Sequence, residues 1–283
     1  MHAYADIPQL IAQCRSIRTD TLEPRRKLHV GGWQEDWEDN IAMLDSFVQE
    51  GAYDLRTSEM DDLELQDACV QWDNAAETAS TVLRLALDRG VPAHVLRPLY
   101  LSVVSVWREY AAVLQLARDA GSAPSPQAIR TDTPEYQFAL QLLAMAVLLD
   151  EQGEIPAIVE HLLHFRTDRL LDYLSAAATG LQEASDDCLH SNPFEGLNDF
   201  LDQYGEVLPD PLLPYLEQHY SRFFALAPHE QKSHPRLSGE QAWGWWALEV
   251  AALVVLYDLD DSALRDNAHY PADLVDFALG IRD

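Results

Sequence analysis

At 283 residues and 48% hydrophobic composition, the chain can bury a sizeable core and is too apolar to be disordered throughout. Its 47 Asp and Glu against 19 Lys and Arg, only two of them lysine (Lys27 and Lys232), give a formal charge of −28 at pH 7. That charge repels nucleic acid and anionic membrane, both of which are held by basic side chains, and favours a basic protein whose approach it would steer.

Helical periodicity runs through nearly the whole chain, and strand alternation is almost absent. Ile7, Leu10, Ile11, Cys14 and Ile17 make a first amphipathic stripe. Trp33, Trp37, Ile41, Leu44 and Phe47 or Val48 make a second, ended at Gly51. A long third helix is predicted from about Met60 to Asp88 through Leu65, Cys69, Trp72, Ala76, Ala79, Leu83 and Leu87. Arg89-Gly90 then supplies a terminal cation and a C-cap. Leu99 to Ala117 is the fourth, ended by Gly121. Ser122-Ala123-Pro124-Ser125-Pro126 reads as a linker, with small and helix-breaking residues before a new pattern.

Beyond the linker, Pro134 opens a helix over Tyr136–Leu149 that stops near Gly153, and Pro156 opens another. Thr167 or Asp168 caps a third over Arg169–Thr179. After an irregular acidic stretch, Pro211–Leu226 and Ser238–Tyr257 are the last long helices, and a short one begins at Pro271. The predicted fold class is all-α: an antiparallel helix-pair bundle, solenoid-like, in two helical halves over residues 1–122 and 127–283. No tetratricopeptide pattern holds register at its period of about 34 residues.

Three cysteines, Cys14, Cys69 and Cys188, are far apart and set in helical patterns, as free thiols in a reducing compartment would be. Met1-His2-Ala3-Tyr4-Ala5-Asp6 has neither the basic nor the apolar region of a signal peptide. The longest apolar run, Val250–Tyr257, falls short of a membrane span. A cytoplasmic protein is expected.

Candidate chemistry is sparse. Glu160-His161-Leu162-Leu163-His164 sets two imidazoles three apart on one helix face, but the zincin pattern needs a glutamate inside the pair. His219, His229 and His234 share the last third with Glu217 and Glu230 at no fixed spacing. Asp258-Leu259-Asp260-Asp261-Ser262 lacks the glycine and the bidentate glutamate of a calcium loop. No nucleophile elbow, phosphate loop, Cys-x-x-Cys or dinucleotide fingerprint occurs. No catalytic residue, metal ligand or cofactor site is assigned.

Acid clusters are the dominant surface feature. The span from Gly31 to Thr78 holds fourteen acids and one base, Arg56, and Leu181 to Gln218 holds nine acids and none. Such faces can simply be solvated; as a function they suit docking of a basic partner. The expected contact residues are Trp33, Glu35, Asp36, Glu38, Asp39, Asp61 and Asp62, with Asp186, Asp187, Asp199, Asp202, Tyr204 and Glu206. Trp33 and Tyr204 would be the aromatic anchors.

One carboxylate stands apart. Glu249 lies within Trp243-Gly244-Trp245-Trp246-Ala247-Leu248-Glu249 and its apolar continuation, where stripping water from a charge costs several kcal/mol unless a partner answers it. Arg265 is the expected partner.

Trp243 to Ala252 is similar to an aromatic-Gly-aromatic-Trp-Ala-x-Glu-x-Ala-Ala pattern. Asp258 to Asp266 and Tyr270-Pro271-Ala272-Asp273-Leu274-Val275-Asp276 resemble its sequel. Together with Pro134-Glu135-Tyr136 and the apolar helix to Leu149, the run resembles the C-terminal domain of the PoNi family, bacterial immunity proteins that neutralise PoNe-type DNase toxins. The resemblance covers roughly Tyr136 to Asp276. It implies an all-helical protein without enzymatic activity, monomer or homodimer, that binds a cognate basic nuclease delivered by a contact-dependent apparatus such as type VI secretion. It implies a structural role for Trp246, Glu249, Arg265, Tyr270 and Asp273, knitting the last helices together through buried ion pairs and aromatic contacts. Two other readings stay open: a helical metal-dependent hydrolase using His161 and His164, and a helical adaptor or chaperone for a different basic client.

Overall fold

The computed structural model describes residues 7–25, 30–49, 60–125, 129, 135–166, 168–189, 192–203, 207–223 and 244–280, and among them it is all-α, with no strand. Helix α1 (Ile7–Ser16) buries Ile7, Leu10, Ile11 and Cys14, the face its spacing predicts. Helix α2 (Val30–Gln49) buries Trp33, Trp37, Ile41 and Leu44. Helix α3 (Asp62–Arg89) starts on a capping box: the Asp61 carboxylate accepts from the Leu63 and Glu64 amides, and Glu64 accepts from the Asp61 amide at 2.8 Å.

A three-residue turn after α3 leads into α4 (Ala93–Asp119), six residues earlier than predicted. Pro98 lies inside this helix. Burial of Leu96, Leu99, Tyr100 and Val103 offsets its missing hydrogen bond, a defect of about 3 kcal/mol in an isolated helix. The two helices run antiparallel, and Trp107 Nε1 in α4 donates to Ser80 Oγ in α3 at 2.8 Å.

Gly90 makes the turn possible. It adopts φ +85°, and a Cβ there would sit 2.0 Å from the Glu23 carbonyl oxygen. The segment after α1 thus crosses directly over the end of α3. Arg25 fixes that crossing: its guanidinium donates to the Leu87 and Val91 carbonyls, each at 2.8 Å, where cations suit the dipole of a helix C-terminus.

In the second half, α5 (Glu135–Leu148) is buried on every side. A short helix α6 (Ile155–Ala157) continues as a π-helix over Ile158–Leu162. Helix α7 (Arg169–Thr179) is capped by Asp168, whose fully buried carboxylate accepts from the Leu170 and Leu171 amides, the Leu189 amide and Tyr136 Oη. Helices α8 (Asn198–Leu201), α9 (Leu212–Phe223), α10 (Leu248–Tyr257) and α11 (Ala272–Ala278) follow. Helix α10 packs on α5, and their pairing forms the middle of the second half.

The buried side chains of both halves form one continuous core. Tyr100 Oη donates to the Leu142 carbonyl at 3.0 Å, and Trp246 Nε1 reaches Asp88 Oδ1 at 2.8 Å. No helix among the described residues is long and apolar enough to cross a membrane.

Candidate functional site

The helix predicted over Ser238–Tyr257 begins only at Leu248; residues 238–243 lie outside the described residues. Gly244 takes φ +79° with the Phe223 ring against it, and Trp245 and Trp246 lie in a turn. Glu249 therefore stands in the first turn of α10 rather than mid-helix, where free N–H groups and the helix dipole favour an anion. It is 1% exposed.

The partners of Glu249 are Tyr215 and His219, one turn apart on α9, and not Arg265. Tyr215 Oη donates to Glu249 Oε1 at 2.6 Å, and His219 Nδ1 lies 3.2 Å from the same oxygen. His219 Nε2 is 2.9 Å from the Gly244 carbonyl and donates there. Its Nδ1 thus faces a carboxyl oxygen and a phenol whose hydrogen is already committed.

Arg265 lies between two other carboxylates, donating to Asp261 at 2.7 Å and Asp276 at 2.8 Å, with Tyr270 Oη on the second Asp261 oxygen at 2.9 Å. Asp276 and Asp261 hold the guanidinium above its ordinary range. Asp273 faces a third direction and accepts from Arg25 at 2.8 Å, tying α11 to the crossing over α3. Trp246 reaches α3 through Asp88. Trp246, Glu249 and Asp273 thus tie the last segment to three other parts of the molecule, while Arg265 and Tyr270 bind within it.

The space beside Glu249 is lined by Arg84, Gln141, His219 and Trp246 and measures about 50 Å³. Small-molecule sites typically open to at least about 300 Å³. Among the described residues the space beside Glu249 is well below that size.

His269 stacks on Tyr220 and donates from Nδ1 to the Trp245 carbonyl at 2.8 Å. Burial, and then the nearby His219, push its pKa from 6.5 down to about 4. The unfolded chain accepts this proton near pH 6.5, whereas the folded protein refuses it until about pH 4. Its contribution to stability is complete above the unfolded value and is lost as pH falls through that window. Between pH 7.5 and 5, urea unfolding is expected to show roughly 2 kcal/mol lost through this group. A His269→Gln variant should show a correspondingly shallower pH dependence; an unchanged slope would contradict the assignment.

His161 is exposed, and His164 Nε2 accepts from Arg118 Nη1 at 3.1 Å. Burial, with Arg118 and Arg166 beside it, holds His164 down at about 4. Among the described residues, no group of three or more His, Cys, Asp or Glu could hold a metal ion.

The expected docking residues separate into several roles. Trp33 is fully buried: it stacks on Trp37 at 5.4 Å, donates to the Leu85 carbonyl at 3.0 Å, and lies under the Arg89 guanidinium. It is a core side chain and offers no surface. Glu35, Glu38 and Asp39 are exposed along α2, with Asp36 half-buried among them. Asp61 is occupied as the α3 cap, and Asp62 accepts from Ser122 Oγ at 2.8 Å. Asp186, Asp187 and Asp199 are exposed, while Asp202 pairs with Arg169. Tyr204 and Glu206 lie outside the described residues.

Comparison with known proteins gives two family matches, one on each half. Residues 166–274 match the C-terminal domain of PoNe immunity proteins (PoNi), and residues 4–123 match the PA2201 N-terminal domain-like family. Among solved structures, protein PA2201 from Pseudomonas aeruginosa is 42% identical, with 98% of this chain and 96% of that one covered and a TM-score of 0.83. No curated protein matches.

Proposed function

The chain belongs to the PoNi immunity-protein family, and from that premise we propose that it binds and neutralises an antibacterial DNase toxin by direct contact through its acidic surface. The observation that carries the reading is the match of residues 166–274 to the C-terminal domain of PoNe immunity proteins. Charge supports it. A nuclease needs cationic side chains to hold phosphate, and a partner of charge −28 is the complementary object. Carboxylates in the DNA groove of the toxin would occupy the positions of phosphates. The toxin's target is DNA, so the cytoplasm is where protection is needed, and a secretion system such as type VI would be the route of entry. Inhibition of this kind is stoichiometric and needs no metal, cofactor or turnover.

The test is survival. Cells expressing a PoNe-type DNase, sought first in the gene next to this one, should die, and co-expression of the protein should restore growth and yield a complex on purification. Death of cells that hold both proteins, each folded, would refute the proposal.

A further inference from the structure

Helices α2 and α3 lie side by side with an open groove of about 230 Å³ between them, lined by Met43, Phe47, Gln71, Asn74 and Ala75 among others. Three large apolar side chains on these two helices are left in water: Met43 is 56% exposed, Leu63 67% and Val70 61%. Each leaves apolar area in water that would yield about 25 cal/mol per Å² if covered.

Helix geometry groups these side chains with acids. Leu63, Asp67 and Val70 follow the i, i+4, i+7 spacing of one face of α3, and Asp36, Asp39 and Met43 follow i, i+3, i+7 on α2. Met43 lines the groove itself, and Val70 adjoins Gln71 and Asn74, which line it from the other side. Residues 30–49 and 60–83 contain no Lys or Arg. Phe165 is equally bare, but Arg108 lines the cleft beside it.

We infer that the α2–α3 face is the surface that receives the toxin, with Met43, Leu63 and Val70 as apolar anchors and Asp36, Asp39 and Asp67 as the acidic rim for its Lys and Arg. The inference rests on the immunity reading and adds where contact is made. An apolar centre with a charged rim is the arrangement of tight interfaces, and the aliphatic stems of Lys and Arg can cover the apolar part while their charges meet the rim. The charge selects this occupant over the others. A second copy of the chain would bring the same carboxylates face to face, and DNA or an anionic membrane would be repelled.

The test uses the full chain and the nuclease against which it protects, inactivated at its active site, titrated calorimetrically. Met43→Arg and Val70→Arg are each expected to weaken binding about 100-fold, while Leu181→Arg, the same change at an exposed site of the second half, stays within about threefold. Melting temperature and circular dichroism identify any variant that fails to fold. As an independent variant, Asp39→Lys/Asp67→Lys should weaken binding and flatten its salt dependence. Wild-type affinity in all these variants, with wild type binding well, would overturn the placement and leave the immunity reading standing. Absence of binding by the wild-type protein would sink both.

Discussion

Replacing Glu249 with alanine is expected to destabilise the protein by about 3–5 kcal/mol, since it removes a buried hydrogen-bonded carboxyl and leaves a cavity in its place. The change leaves the Tyr215 hydroxyl without its acceptor and His219 Nδ1 without its neighbour at a site that is 1% exposed, and empties the volume of the side chain. Glu249→Gln keeps the shape and an oxygen at the Oε1 position for Tyr215, so its cost should be about 1–2 kcal/mol. Tyr215→Phe removes a single hydrogen bond and should fall in the same range. Urea unfolding of the four proteins measures the series. Glu249→Ala within 1 kcal/mol of wild type would contradict the pairing.

Gly90→Ala should rank with it. A left-handed backbone costs a residue with a Cβ about 1–2 kcal/mol by itself. At Gly90 the new carbon would also lie 2.0 Å from a main-chain oxygen of Glu23, which cannot yield as a side-chain tip would. The crossing segment would be forced off the end of α3, and Arg25 would lose its two carbonyl acceptors and Asp273. The expected loss is at or beyond the roughly 3 kcal/mol that bounds ordinary substitutions. Gly180→Ala is the control, since Gly180 has φ +71° but nothing within 4 Å of the added carbon, and should cost only the backbone term. Equal losses at the two sites would show that the clash is relieved without cost.

Most of the helices were legible because their apolar positions recur at helical spacing within a single element. Ile7 to Cys14, the α3 stripe, and the caps at Asp168 and Gly90 needed only local information. The misreadings are places where a distant element decides. The fourth helix, expected from Leu99, begins at Ala93 and runs through Pro98, where burial of the neighbouring side chains outweighs the lost hydrogen bond. The start of α10 depends on Gly244 folding over Phe223, a ring that belongs to α9. That Glu249 needed a partner was plain from its apolar neighbours. Which partner it found was not, because Tyr215 and His219 arrive from α9, although a tyrosine and a histidine four apart on an amphipathic helix were the available signal. Arg265, nearer in sequence, was already claimed by Asp261 and Asp276.

Trp33 gives the same lesson for the surface. Within an acid-rich segment it reads as an anchor, yet Trp33 and Trp37 share the helical spacing of the buried stripe, and the acids occupy the opposite face of the helix. Among the described residues of α2 and α3, the large apolar side chains left in water are Met43, Leu63 and Val70, ordinary residues whose exposure the packing of the helices determines.

The most direct measurement is a titration of the purified nuclease with this protein, following DNA cleavage. The account predicts that activity falls linearly and vanishes at one equivalent, with the break point insensitive to added metal chelator during complex formation. Undiminished cleavage at excess protein, with both partners folded, would contradict it, as would inhibition completed at a small fraction of an equivalent, which would mean turnover.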